Sequence, residues 1–491
     1  MRTYQRIGAK IVDKILSVVA VVAYTGLLVL VAIRARVARE FVDFSLARRA
    51  LPLALVFGSI SAAYVGPGFS IGFVGKGFES GFLFWGVGLA YAVQNILVGL
   101  LIAPRLRGLK DCHTLGDAIG QKYDKKCHVL AGIISVGLCA GLAAVMAKAG
   151  GIVLSNIFGF PNWVSVALVG GVTAAYTTFG GLRTSVVTDS FQFVVFSIFM
   201  PLILLVAIAF HFEGGAAAFA REASAATGIG LSSTPVIEIV GLVAAFLLGE
   251  TLIPPYANRA LASKTTRVSR NSFILAGIYS SAWFMVMVSL GIVARSIVPS
   301  DTDKDHVLLN LVKTIMPLEG HALLLVVLMS VIMSSLDSLL NAGAVAFSQD
   351  VVRPFVNLSD KAALNIGRTA TVAIAIVAAL SATAVPGIIE GLLICYSIWA
   401  PAILPAAIIG LLAKHPRPLA GLLSMSVGTL AAVTFQFILP SIIKSKVLAI
   451  IPAFQLVLSS VVKVPAIILA LGLAILAYVL GYWLGRAKDG A

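Results

Sequence analysis

The stretch 329–343 reads MSVIMSSLDSLLNAG. It lies within an apolar run from about 322 to 347, yet it carries Ser334, Ser335, Asp337, Ser338 and Asn341. Residues three and four apart share a helix face, so Ser334, Asp337, Ser338 and Asn341 form one oxygen-rich stripe. Small hydroxyl residues can also serve close helix packing alone, bonding back to their own helix. That accounts for Ser335 or Ser338 singly, but not for an aspartate among three serines. An ionisable group in mid-membrane is costly and marks a functional site, so the stripe reads as an ion site.

The elements that position this stripe follow from composition. The chain has 491 residues, is 59% hydrophobic and only 12% charged, and its mean hydropathy is +1.02. That composition describes an all-α polytopic membrane protein; a β-barrel would show short alternating segments instead. The net charge of +15 sits mostly in short loops, which points to topology and anionic lipid and away from nucleic acid. The four cysteines (Cys112, Cys127, Cys139, Cys395) show no metal-binding spacing, and Cys112 and Cys127 lie in a basic loop where a structural disulfide is not expected. The basic segment 1–14 runs into an apolar stretch long enough to span, which reads as a helix and not as a cleavable leader.

A crossing of roughly 30 Å of hydrocarbon takes about 20 residues. Thirteen apolar runs qualify, at about 12–33, 50–73, 81–103, 128–156, 162–179, 185–210, 236–258, 272–298, 321–350, 366–385, 388–412, 418–440 and 464–485. The segment 443–460, interrupted by Lys444, Lys446 and Pro452, reads as an interfacial or loop element. Alternate loops, including the four basic residues of 259–270, carry 23 of the 36 Lys and Arg. The positive-inside rule then places the N-terminus outside and the C-terminus in the cytoplasm of a cell (inner) membrane, although the basic N-terminal tail argues weakly the other way. The loop 104–127, with Asp117 and Lys122 on an amphipathic helix, reads as interfacial.

Two runs look broken. Residues 62–72 (AAYVGPGFSIG) put Gly66, Pro67 and Gly68 in mid-membrane, and 249–259 (GETLIPPYANR) carry Gly249, Glu250 and then Pro254-Pro255. Proline removes a donor and glycine weakens the helix, so carbonyls are freed to meet a cation inside protein or a water-lined cavity. An ordinary proline kink is the plainer reading of either alone. The breaks fall in runs two and seven, so each would open a five-helix half, and such pairing points to an inverted-repeat transporter. The expected organisation is an extra helix and basic loop over 1–45, a 5+5 core over 46–415 (halves 46–212 and 235–415), and two further helices over 416–491.

These residues resemble the sodium:solute symporter family, with its leucine-transporter-type fold. YTTFGGLRTSVVTDSFQF (176–193) is similar to the family's Gly-Gly…Thr-Asp-x-x-Gln signature, SISAAYVG resembles its first broken core helix, YANRALASKT the end of its sixth, and SSLDSLLNAGAVAFSQDVVRP its eighth. The resemblance covers about residues 40–415. It implies a sodium site from the carbonyls of Ala62, Val65 and Val331 and the hydroxyls of Ser334 and Ser335; such oxygens suit a hard cation. It further implies a second sodium at Asp189 with Ser334, Asp337 and Ser338. Asp337 departs from the serine of relatives with that site, so the pair of carboxylates either strengthens sodium binding or holds a proton, and proton coupling is the alternative. For Asp189 a helix cap or cytoplasmic gate contact stands equally open.

Within the family the pattern is most like the choline-transporter branch, which implies an aromatic cage with Tyr64 and Tyr91 at cage positions. Ile253 and Ala147-Lys148 replace aromatics expected there, and a lysine beside the cavity turns the expectation toward a carboxylate-bearing solute. Lys148 holds that carboxylate, snorkels outward, or, the slightly stronger reading, pairs with Glu250. The expected substrate site is thus Tyr64, Gly66, Tyr91, Lys148, Gly249, Glu250 and Ile253. No catalytic constellation is evident. The expectation is a monomeric carrier importing a small polar organic solute with sodium; a channel lacks the continuous polar pore it needs, and a transporter-like sensor lacks a signalling domain.

Overall fold

A computed structural model describes residues 2–35, 38–226, 235–444 and 464–489. They form helices joined by short turns, with an isolated bridge between Leu51 and Ser263 in place of any sheet. In chain order the helices are α1 (Arg2–Arg34), α2 (Phe41–Leu46), α3 (Leu53–Tyr64), α4 (Gly68–Ser80), α5 (Leu83–Gly108), α6 (Leu115–Lys122), α7 (Lys125–Phe158), α8 (Asn162–His211), α9 (Gly215–Ala226) and α10 (Val236–Leu248). They continue with α11 (Pro254–Ala262), α12 (Thr266–Arg295), α13 (Val307–Ile315), α14 (Leu318–Val352), α15 (Asp360–Ala384), α16 (Ile388–Leu412), α17 (Pro418–Ile443) and α18 (Ala466–Asp489). Among the described residues ten helices are long and apolar enough to cross a membrane, eleven if the bent pair α3–α4 forms one span.

Runs 162–179 and 185–210 both lie in α8, as two helical segments that join directly at a kink where a loop is expected. Gly181 makes that kink with φ 62° and ψ −166°, and a Cβ there would lie 2.6 Å from the Phe44 Cα, so only glycine serves both needs. The segment expected as interfacial, 443–460, falls almost wholly outside the described residues. Several helix starts are fixed by side-chain caps: Thr114 accepts from Asp117 N, Asp124 from Cys127 N, Thr265 from Val268 N and Ser359 from Ala362 N.

Helix α14 is the hub. Its most apolar window is 89% buried, against 17% for α1, and it packs on α7, α8, α1 and α15. A helix that is apolar all round and enclosed by others can carry polar groups only if they bond within the protein. The C-terminal pair α17 and α18 packs mainly on itself and on α16. Helix α6 is not a free interfacial helix: Asp117 is buried and meets His128 and, through Gln349, the end of α14.

Both breaks form where the sequence places them. Helices α3 and α4 bend by 60° at Val65-Gly66-Pro67. A Cβ on Gly66 would come within 2.6 Å of the Ser335 hydroxyl, so this glycine lets the broken backbone lie against α14. Helix α10 ends at Leu248 and the chain turns through Leu252, which takes φ +57°. Pro254 and Pro255 do not break a helix here; they start α11, where the missing N–H groups cost nothing.

Candidate functional site

The end of α3 meets the stripe on α14. Ser334 Oγ lies 3.4 Å from the Ala62 carbonyl and 3.0 Å from that of Val331, while Ser335 Oγ lies 3.5 Å from the Ala63 carbonyl and 3.3 Å from that of Val331. Two hydroxyls and three carbonyl oxygens therefore converge, with no charge among them. The Val65 carbonyl accepts from Ser70 Oγ at 2.7 Å and is engaged within its own segment.

One turn along α14 the site becomes charged. Asp337 Oδ1 accepts from Ser185 Oγ at 3.0 Å, and its Oδ2 lies 3.2 Å from the Tyr176 hydroxyl and 3.4 Å from that of Thr188. Ser338 Oγ bridges to Asp189 Oδ2 at 3.4 Å and to Asp337 Oδ1 at 3.2 Å. Asp189 forms a fully buried ion pair with Arg259, Nη2 to Oδ2 at 2.7 Å, an arrangement that a cytoplasmic gate contact would also make. The guanidinium also donates to Ser59 Oγ at 2.6 Å, to the Pro255 carbonyl at 2.9 Å and to Ser338. All nine residues of α11 are buried, so Arg259 leaves the count of loop cations and enters the core. With both carboxylates ionised, Asp189, Asp337 and Arg259 would carry one net negative charge, which a small cation or a proton on one carboxylate would balance.

The second break holds Glu250. Its carboxylate accepts from the hydroxyls of Tyr91, Tyr256 and Tyr396, the Tyr256 contact at 2.6 Å. Around it the rings close up: Tyr64 and Tyr256 centroids are 3.9 Å apart, Tyr64 and Tyr91 5.2 Å, and Tyr91 stacks on Phe69 at 4.5 Å. Gly249 lies against the Tyr396 ring, and Ile253 contributes its carbonyl to the start of α11, accepting from Tyr256 N at 2.9 Å.

Lys148 does not join them. Its ammonium donates to the Val385 carbonyl at 2.6 Å, and it lines an open cavity of about 440 Å³ with Asn156, Asp303, Asp305 and His306. Burial pushes the Asp305 carboxyl up from its ordinary range. The expected pair with Glu250 is replaced by the outward-reaching arrangement, because a flexible lysine reaches an open cavity and the Val385 carbonyl just past the end of α15. With it goes the reason for expecting a carboxylate-bearing solute. Lys148→Met should leave sodium-induced thermal stabilisation of the purified protein within about twofold in midpoint concentration, ~0.4 kcal/mol; a tenfold change would return Lys148 to the site.

The model of the sodium:solute symporter family matches residues 44–428. The chain belongs to that family. It is an integral membrane protein of a family of transporters, not enzymes. This symporter-family chain is 25% identical over 334 residues to a sodium/glucose cotransporter of Vibrio parahaemolyticus, covering 60% of this chain and 61% of that one, less than two thirds of its length. It is 26% identical to the osmoregulated proline transporter OpuE of Bacillus subtilis, over 75% of this chain and 78% of the relative. Its fold matches a Na+-coupled sialic acid symporter with a TM-score of 0.80 and 14% identity, over 96% and 98% of the two chains. That likeness establishes the leucine-transporter-type fold.

The expected residues thus fall in three groups, two of which share α14. Ala62, Val331, Ser334 and Ser335 converge, as do Asp189, Asp337 and Ser338; Tyr64, Tyr91 and Glu250 form a third cluster, from which Lys148 is absent. Sequence reasoning missed Arg259, Tyr176, Ser185, Tyr256 and Tyr396. Tyr256 was findable, six residues after Glu250 on the far side of a proline-initiated turn, and Arg259 lies on its i+3 face.

Proposed function

We propose that the protein is a secondary active transporter that imports a small polar organic solute with sodium, by alternating access across the cell membrane, acting as a monomer with its C-terminus in the cytoplasm. The observation that carries this is the convergence of uncharged oxygens from a broken helix and a helix stripe at Ser334. Sodium needs several oxygens without the charge that would hold it too tightly, and here they come from two elements that part if either rotates. Bound sodium would hold α3 against α14, and by linkage solute and sodium raise each other's affinity equally. Family membership and sodium-coupled relatives support the reading. The test is uptake by proteoliposomes of candidate solutes under an inward sodium gradient. Saturable uptake that collapses with potassium in place of sodium is the expected result; sodium-independent flux overturns it.

Asp337 favours one second reading, in which a proton balances the buried cluster in place of a second sodium. With sodium there, Asp337→Asn should lower the sodium Hill coefficient toward about one and leave the pH profile of uptake unmoved. A shifted pH profile with an unchanged Hill coefficient assigns the position to a proton.

A further inference from the structure

Glu250 is a buried carboxylate without a cation. Among the described residues no Lys, Arg or His nitrogen pairs with it, in contrast to Asp189, which has Arg259. Its carboxylate accepts hydrogen bonds from three tyrosine hydroxyls, which stabilise a negative charge but do not neutralise it. Beyond them stand aromatic faces from five elements: Tyr64 on α3, Phe69 on α4, Tyr91 on α5, Phe246 on α10 and Phe284 on α12. The Tyr64 hydroxyl is buried in the same cluster and has no hydrogen-bond partner. Ring faces are negative and attract cations within about 6 Å of the centroid, while they and a carboxylate repel an anion. The cluster lies between the two broken helices, where relative motion would separate Tyr64 on α3 from Tyr256 on α11 and open the rings to a ligand.

We propose that Glu250 is the counter-ion for a positively charged nitrogen on the transported solute, so that the substrate class is an organic ammonium ion. The inference rests on the reading of the chain as a sodium-coupled solute carrier, and deepens it. The ammonium group would sit on Glu250 with the tyrosine and phenylalanine faces around its methylene or methyl groups, and the free Tyr64 hydroxyl would accept from an N–H or bond a polar group beyond it. No covalent step is involved. A carboxylate would be repelled by this set of groups, and a sugar could bond the hydroxyls and stack on the rings but would leave the charge of Glu250 unbalanced.

The test uses full-length protein in nanodiscs, with thermal stability followed against ligand. Sodium alone is titrated first and should stabilise both the parent and Glu250→Gln, which lies outside the serine–carbonyl site; absence of any sodium effect would indict the carrier reading itself. Choline and tetramethylammonium are then titrated in sodium, beside 3,3-dimethylbutanol, the uncharged analogue of choline, and lactate as an anion. The ammonium probes should stabilise the parent at concentrations at least tenfold below the alcohol, and lactate should have no effect. Glu250→Gln should weaken the ammonium probes at least tenfold while keeping its sodium response, and Tyr396→Phe, which removes one hydroxyl and keeps the ring, should weaken them less. Stabilisation by the alcohol or lactate equal to that by the ammonium probes overturns the proposal. So does ammonium binding unchanged in Glu250→Gln, or no response to either ammonium probe in a protein that responds to sodium.

Discussion

Arg259→Met should be the most damaging single change in this protein. It leaves Asp189 and Asp337 buried with only hydroxyls for company, since Ser59, Ser185 and Ser338 bond the carboxylates but carry no charge. Removing one partner of a buried ion pair costs about 3–5 kcal/mol, because the remaining charge is stranded. That is a large share of a typical folding stability of ~5–15 kcal/mol. The loss is specific in two ways that a packing defect is not. First, the double variant Arg259→Met with Asp189→Asn restores the original net charge of the cluster and should recover most of the lost thermal stability, a coupling visible only in the double-mutant cycle. Second, the single variant has two uncompensated carboxylates, so its stability should rise more steeply with sodium than the parent's. A single variant as stable as the parent, or a double variant no better than the single, removes Arg259 from the ion cluster's charge balance.

The breaks and the stripe were legible because each is a local exception to a strong rule. Gly-Pro-Gly and an aspartate with serines stand out in an apolar run, and membrane helices tolerate such exceptions only for function. Arg259 obeys no such contrast in the linear sequence. It lies at the end of an apolar run, five residues before Lys264, where composition places every basic residue in a loop. Its partner Asp189 is 70 residues away, so only tertiary packing reveals the pair. Lys148 misled in the opposite direction: a long side chain placed by position in the run reached out to Val385. The tyrosines around Glu250 come from three different elements, and a hydroxyl 146 residues distant in sequence has no spacing to read. Gly181 was a sequence signal only as part of a Gly-Gly pair; that the chain turns there without a loop follows from its positive φ against Phe44.

Ser334→Ala should abolish sodium dependence while leaving the fold intact. Ser334 is buried, and its hydroxyl touches the Ala62 carbonyl on the broken helix and the Val331 carbonyl on its own. Replacing it with alanine removes one oxygen and leaves the Ala62 carbonyl without that partner, but adds no bulk and no charge. The structural penalty is therefore that of one hydrogen bond, about 1 kcal/mol. The effect on sodium is larger, since a cation held by neutral oxygens alone has no carboxylate to compensate the missing ligand. A loss of ~2–3 kcal/mol in sodium binding corresponds to a roughly 30- to 150-fold weaker site. Because solute and sodium affinities are linked, the solute affinity measured at sodium concentrations that saturate the parent should also fall, by at most the factor by which sodium raises it, and the difference should vanish when both proteins are measured without sodium. Ser335→Ala, whose hydroxyl stands at 3.5 Å from the Ala63 carbonyl, should show the same pattern with a smaller factor. If Ser334→Ala keeps the parent's sodium midpoint, the coupling ion binds elsewhere, and the Asp189–Asp337 cluster becomes the first place to look.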